Sequence, residues 1–498
     1  MDRVYLNIGC GRQPLAGFVN IDLEPGGDMQ HDVTQGLPFP DASVDGIYSE
    51  HFFEHITQGQ GLAFLRECRR VLKPEGTVRI AMPDLDAVVQ RYVSSDWRGD
   101  GDMFRMGWHW VDNRCEMLNI AMREWGHQWV YNEEELRLAA DRAGLACIGR
   151  FPRGESSVDV FSGRETRNSS KLIMEFRRRP ALASAQPRVS LLIPAYNPRF
   201  FEKSLRSALA QTYPNLEIVI CDDCRDGGIG DVVGRHDDSR IRYEFNEEKQ
   251  GGLGNYLRCL ERASGELVKF LNDDDTLAPN CVERMVQVFV SRPDVTLVTS
   301  HRQLIDEEDG RIPDFFSTSH LLAEDGVIEG QSLVATVLSL RHNIIGEPTT
   351  AMFRLDDIRK IRPHFMSFGG ETMVGAGDMG TWLNLLGMGH AAYLHESLST
   401  LRIHKQQRQQ ETAIQDAGRQ SWLRMRFHAA RFGMYDEQAT PVLRVSPLDG
   451  GAWQTLPAPV DPDAPVTHRP QAAPRHDESL ARRLHRQLDR HLLWRLKR

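Results

Sequence analysis

No apolar run in this sequence approaches the roughly 18 residues needed to span a bilayer. Its opening, MDRVYLNIGCG, also lacks the charged-then-apolar layout of an export signal. The expectation is a cytoplasmic protein. Cysteine is sparse and scattered, with 8 in 498 residues, and no second pair answers Cys221-x-x-Cys224, so neither a disulfide framework nor a zinc ribbon is indicated. Excess positive charge is missing too. The net charge of −9 gives no global reason to bind nucleic acid. No short-period repeat is visible. What is present is ordinary for folded protein, 41% hydrophobic and 26% charged, in a chain too long for one core.

Composition breaks at Arg177 to Pro187 and Leu456 to Pro474, followed by a basic end, divide the chain. The divisions expected are a first domain over 1–180, a linker over 181–187, a second domain over 188–445, a proline-rich linker over 446–476 and a tail over 477–498. In the first domain, apolar runs at Val4 to Ile8 and Val78 to Ala81 alternate with a helical pattern at Leu62 to Leu72. The alternation restarts in the second, with strands at Val189 to Ile193, Glu217 to Ile220 and Leu267 to Leu271 and helices at Phe200 to Gln211 and Gly254 to Ala263. Two α/β domains in series are expected.

Near the start, Leu6-Asn7-Ile8-Gly9-Cys10-Gly11 sets a strand before a glycine turn, where backbone can approach a ligand closely. Val19-Asn20-Ile21-Asp22 ends the next short strand in a carboxylate suited to ribose hydroxyls. Then follow Asp32, Leu37-Pro38-Phe39-Pro40, Ser43-Val44-Asp45, Glu54-His55-Ile56 and Arg70-Val71-Leu72-Lys73-Pro74-Glu75-Gly76. This ordered set resembles the class I S-adenosylmethionine-dependent methyltransferases over about residues 4 to 176, which implies a Rossmann-like fold. By that resemblance Gly9 and Gly11 approach the methionine part of S-adenosylmethionine, Asp22 its ribose and Asp32 its adenine edge. His51-Phe52-Phe53-Glu54-His55 matches the metal-binding pattern HxxEH. Its place after the fourth strand of the methyltransferase pattern favours another use, with His51 or His55 as a base on an acceptor hydroxyl. Trp108, His109, Trp110, Trp125, His127 and Trp129 crowd one region, either as core, the favoured reading, or as a surface that stacks on sugar. Asn132 before a glutamate run predicts a capped helix within Tyr131 to Gly144.

The second domain opens with a strand ending Pro194-Ala195-Tyr196-Asn197, whose ring can stack on a base. The next strand ends in Asp222-Asp223, and both carboxylates are expected in the crevice at the strands' carboxyl ends. Leu267 to Leu271 then delivers Asn272-Asp273-Asp274-Asp275, three carboxylates that repel one another unless a cation sits among them. A hard cation, Mn²⁺ or Mg²⁺, suits these oxygens and leaves positions for a diphosphate. The stretch resembles the family 2 glycosyltransferases, with a GT-A fold, over about residues 188 to 405. The resemblance implies a nucleotide-sugar donor bound by Pro194, Tyr196, Asp222, Asp223 and Asp273, with metal on Asp274 assisted by Asp273 or Asp275. Gly377-Asp378-Met379 resembles the family's segment for the base of an inverting transfer, so Asp378 takes that role, with Glu371 in reserve and a helix N-cap as the plain alternative. Arg402-Ile403-His404 resembles the family's Arg-x-His, which implies Arg402 on the diphosphate and His404 on the diphosphate or the metal. Glu347-Pro348-Thr349-Thr350 is read as a border of the acceptor pocket, or simply a loop.

The tail repeats leucine every fourth residue from Leu480 to Leu496 among arginines. It is read as an amphipathic helix that either lies on the inner face of the cell membrane or binds a partner helix. The combined expectation is a bifunctional enzyme of cell-surface polysaccharide assembly, of the O-antigen or capsule type. It transfers a sugar with inversion to a glycan or lipid-linked glycan and O-methylates the product. The rivals are a glycosyltransferase with a non-catalytic cofactor-binding or docking domain, and a scaffold without catalysis.

Overall fold

A computed structural model describes residues 3–98, 110–404 and 412–461. Trp108, His109 and the tail over 477–498 lie outside the described residues. The fold is α/β throughout, as expected. The first sheet holds seven strands: β1 (Tyr5–Ile8), β2 (Val19–Asp22), β3 (Met29–Gln30), β4 (Val44–Glu50), β5 (Leu72–Met82), β6 (Leu145–Arg150) and β7 (Leu172–Arg178). Their spatial order is β3-β2-β1-β4-β5-β7-β6, parallel except where β7 enters antiparallel between β5 and β6. The helix Gln58–Val71 between β4 and β5 starts with a complete capping box of Thr57 and Gln60. The helix Glu133–Arg142 is capped by Asn132, as the sequence predicts.

The second sheet has eleven strands among the described residues. They are β8 (Val189–Ala195), β9 (Leu216–Asp222), β10 (Ile241–Phe245), β11 (Leu267–Phe270), β12 (Thr276–Leu277), β13 (Val295–Ile305), β14 (Gly326–Ile328), β15 (Met352–Arg354), β18 (His390–Arg402), β19 (Val442–Pro447) and β20 (Gln454–Pro457). A separate small hairpin joins β16 (Ser367–Phe368) and β17 (Glu371–Thr372). The order runs β10-β9-β8-β11-β15-β13-β18-β14-β19-β20, with β12 on β18. Strands β8, β9 and β11 are buried almost throughout and run parallel. Their carboxyl ends therefore open on one edge, where ligands of such sheets bind. The proline-rich linker expected from 446 begins instead as sheet. The β19–β20 pair turns at Gly450 and Gly451, whose φ values of 100° and 142° suit glycine.

The two sheets share a hydrophobic core, which joins Leu62 and Phe64 of the first region to Trp382 and Phe432 of the second. Much of the junction is made by the helix Thr412–Arg431 and the residues after it. Arg66 Nη1 donates to the Phe432 carbonyl at 3.1 Å, and Arg431 Nε donates to Gln58 Oε1 at 3.0 Å. The Arg142 guanidinium lies 4.5 Å from the Phe432 ring centroid. Gly144 packs so tightly, at φ +77°, that a Cβ there would meet the Met388 carbonyl oxygen at 1.9 Å.

Candidate functional site

The turn that ends β8 leaves Tyr196 55% exposed, with the Lys249 ammonium 5.0 Å from its ring centroid. Beside it opens a cavity of about 1400 Å³, lined by Tyr196, Asp273, Asp274, Glu347, Asp378 and His404 among others, with Pro194 in its wall. The helix Thr412–Arg431 supplies another wall through Gln415, Arg419 and Trp422.

The run Asn272 to Asp275 forms a tight turn, in which the Asp275 amide donates to the Asn272 carbonyl at 3.2 Å. That turn sends three adjacent carboxylates to three different places. Asp273 Oδ2 accepts from the Tyr196 and Asn197 amides at 2.6 and 2.7 Å, and burial raises its carboxyl to about 7 with Asp274 adding. Asp274 faces the cavity, with Oδ2 2.9 Å from His404 Nε2. Asp275 is fully buried, accepting from the Thr349 hydroxyl at 2.7 Å, the Arg402 amide at 3.0 Å and the Asn272 side-chain amide at 3.2 Å. Its expected place on a metal is corrected: the oxygens are occupied by protein donors and the side chain does not line the cavity.

Three further expectations are corrected in the same way. Asp222 accepts from the Cys224 amide and the Tyr243 hydroxyl, both at 2.8 Å. Asp223 accepts from the Gln250 and Gly251 amides at 2.8 and 2.9 Å, which anchors the start of the helix Gly251–Arg262. Both carboxylates are buried braces outside the cavity lining. Arg402 is buried as well: Nε donates to the Asp274 carbonyl at 2.8 Å, Nη1 lies 2.7 Å from Asp309, and the guanidinium sits 4.5 Å over Phe200. It holds the metal-side turn from behind and does not reach into the cavity.

Asp378 is the second residue of the helix Gly377–Met388, whose N-cap is Ala376, so the N-cap alternative does not apply. Its Oδ2 accepts from Asn343 Nδ2 and its Oδ1 from the Met379 amide, each at 2.8 Å. Burial raises this carboxyl to about 6 against the lowering by the Met379 amide. Glu347 raises it further, although Arg302 Nε holds Glu347 at 2.7 Å. Glu371 points elsewhere, to His428 Nε2 at 2.9 Å. Glu347 and Pro348, read from the sequence as a pocket border, line the cavity, whereas sequence reasoning missed Asn343, Arg302 as the partner of Glu347, and the wall from Gln415 to Trp422. No local motif marks them, because each is brought in from a distant segment.

In the first sheet, β1 ends in the glycine turn, with φ of +69° at Gly9 and +50° at Gly11. A Cβ on Gly9 would lie 2.7 Å from Phe52 Cβ, whereas space at Gly11 is open. The Gly11 amide donates to Asp22 Oδ2 at 2.7 Å, which draws turn and carboxylate together. Asp32 caps a short helical turn by accepting from the Thr34 amide at 3.0 Å and its hydroxyl at 2.7 Å, and these bonds lower its carboxyl.

The structure separates the two histidines that the sequence leaves equal. His51 Nδ1 lies 2.9 Å from Glu54 Oε1, and its Nε2 lies 3.1 Å from Ser169 Oγ. With both nitrogens engaged, His51 braces Glu54 against Ser169. His55 is half-buried, its ring centroid 5.0 Å from that of His127. The HxxEH pattern does not form a helix face, because His51 has φ +54° and Phe53–His55 is a single 3₁₀ turn. The core reading of the tryptophans fits Trp129, which packs partly buried against the core, and is corrected for Trp110 and Trp125, which are 57% and 45% exposed.

Two family models match this chain: glycosyl transferase family 2 over residues 190–356, and a methyltransferase domain over residues 16–80. The chain thus carries a family 2 glycosyltransferase domain behind a methyltransferase domain. TuaG of Bacillus subtilis, whose name assigns it as a glycosyltransferase of teichuronic acid biosynthesis, is 28% identical over 44% of this chain and 80% of its own length. The GalNAc(5)-diNAcBac-PP-undecaprenol beta-1,3-glucosyltransferase of Campylobacter jejuni is 37% identical over 20% of this chain and 34% of its own. The UDP-Glc:alpha-D-GlcNAc-diphosphoundecaprenol beta-1,3-glucosyltransferase WfgD of Escherichia coli is 34% identical over 20% of this chain and 41% of its own. The chain therefore spans less than half the length of the latter two relatives.

Proposed function

We infer that the large cavity transfers a sugar from a nucleotide-sugar donor, with inversion, to a hydroxyl of a glycan or lipid-linked glycan in cell-surface polysaccharide assembly. The observation that carries this reading is that Asp274 with His404, Asp378 and the exposed Tyr196 ring all line one cavity. Tyr196 stacks on the base of the donor. Asp274 and His404 fit a divalent cation, Mn²⁺ or Mg²⁺, which when bound supplies countercharge to the leaving diphosphate. Asp378 takes the acceptor proton as that oxygen attacks the anomeric carbon opposite the diphosphate, and Asn343 fixes the carboxylate for the transfer.

The first domain is read as the site of glycan O-methylation. The open backbone at Gly11 and the Asp22 carboxylate fit S-adenosylmethionine, which supplies the methyl group. Asp22 receives the ribose, and the glycine turn leaves room for the methionine part. The tail over 477–498 is proposed to bring the enzyme to a membrane surface where lipid-linked acceptors lie. The packing of Arg66 and Arg142 on Phe432 also favours a second reading, in which the first domain docks the transferase and senses cofactor without methylating.

Thermal shift of the full chain tests both sites, since a ligand of the native state raises its melting temperature. One nucleoside diphosphate that stabilises only with Mn²⁺ is the result expected for the cavity, and an additional shift is expected with S-adenosylmethionine. No shift with any nucleotide sinks the transferase reading. Cofactor binding without methyl transfer to any glycan leaves the docking reading.

A further inference from the structure

A cluster in the first domain brings together residues from two distant segments. Glu54, His55 and His127 each offer one ligand atom, and the three atoms all lie within 4.8 Å of one another. Hydrogen bonds strap the segments together: the Gln128 and Trp129 amides donate to the Glu54 carbonyl at 2.8 and 3.3 Å, and the Gln128 side-chain Nε2 donates to the His55 carbonyl at 2.7 Å. His127 Nδ1 lies 3.0 Å from the Ala121 carbonyl, so that nitrogen carries the proton and Nε2 presents its lone pair. Positive φ at Trp125, +60°, and at His51, +54°, marks strained backbone beside the cluster.

Glu54 is the independent sign of a ligand. It is 1% exposed, and among the described residues its Oε2 has no hydrogen-bond partner. Its Oε1 lies 2.9 Å from His51 Nδ1. A buried carboxylate with so little compensation is strongly unfavourable unless a cation completes it. His51, held in turn by Ser169, orients that carboxylate as the outer partner of a metal ligand does.

We propose that Glu54, His55 and His127 hold a divalent transition-metal ion, with zinc best matched to two imidazoles and one carboxylate. The HxxEH pattern thus supplies two ligands and an orienting residue, and the second imidazole comes from the segment around Trp125. Three protein ligands leave a coordination position open, and the half-exposed histidines provide entry. The site lies in a different sheet region from Asp274 and His404, and it stands whether or not the domain transfers methyl groups.

The test loads the full chain with Zn²⁺, removes excess ion by gel filtration and measures bound metal in wild type, His127→Ala, Glu54→Gln and Asp274→Ala. The expected result is about one tightly held zinc per chain in wild type and Asp274→Ala, with affinity weakened about tenfold or more in His127→Ala and Glu54→Gln. Equal retention in wild type and His127→Ala, or none in wild type, overturns the proposal. Co²⁺ bound to the wild type decides the matter should the variants fail to fold. Intense visible bands of a four- or five-coordinate ion support the site, and weak octahedral bands alone overturn it.

Discussion

The two sheets both end their second strand in an aspartate, Asp22 and Asp222, and then use their carboxylates in opposite ways. At the end of β2, Asp22 takes amides from Gly11 and Glu24 and remains at the surface of an open glycine turn. At the ends of β9 and β11, Asp222, Asp223 and Asp275 are buried and consumed by protein donors, and Asp274 faces the cavity. A cluster of acids in sequence is therefore not a cluster of ligands. In the second sheet most of the acids build the wall that aims one of them.

The sharpest way to break this comparison is Asp274→Ala, which is expected to lower donor turnover by about three orders of magnitude. It should also abolish the Mn²⁺-dependent nucleotide shift while leaving the S-adenosylmethionine shift intact. Turnover within a few-fold of wild type would place the metal elsewhere. Asp378→Asn comes next, with kcat expected to fall about 10²- to 10³-fold at an unchanged donor KM. A rise in KM alone would make Asp378 a binding group.

The pH profile sharpens the same assignment. Because burial raises the Asp378 carboxyl to about 6 from an ordinary value of 3.8, the base form is lost below about 6. Sugar transfer should rise about tenfold per pH unit below that point and level off above it. The sign for stability is opposite. A carboxyl raised on folding favours the fold while protonated, and that contribution disappears as pH climbs from 3.8 towards 6. A profile flat from pH 5 to 8 would remove Asp378 as base. Asp275→Ala should cost about 2 kcal/mol of stability through the stranded Thr349 and Arg402 donors, measured by denaturant unfolding. The smallest effect is expected from Asp22→Ala, about tenfold weaker S-adenosylmethionine binding by calorimetry with sugar transfer within twofold. A matching loss of sugar transfer would show that the two sites do not work independently.

The sequence makes both α/β sheets legible because their strands are short apolar runs beside glycine and proline turns, as in Leu6 to Gly11 and Val189 to Asn197. It also marks Asp274, His404 and Asp378, which share the cavity. It cannot say which of three consecutive aspartates faces outward, since that depends on the turn closed by the Asp275 amide and on Thr349, reached only through the fold. Arg402 misleads for a related reason. A cation near a metal motif reads as a phosphate ligand, but three carbonyl and carboxylate partners and the Phe200 ring hold it inside. His127 was visible as one of a crowd of aromatic residues, and only the pairing of residues 128 and 129 with Glu54 places it beside His55.

The helix Thr412–Arg431 lends residues to the transferase cavity along its length, and just past its end Phe432 settles against Arg66 and Arg142 of the methyltransferase region. A first region without arginines at positions 66 and 142 would leave the Phe432 carbonyl and ring without these partners, so exchange of that region alone would remove contacts that join the two halves.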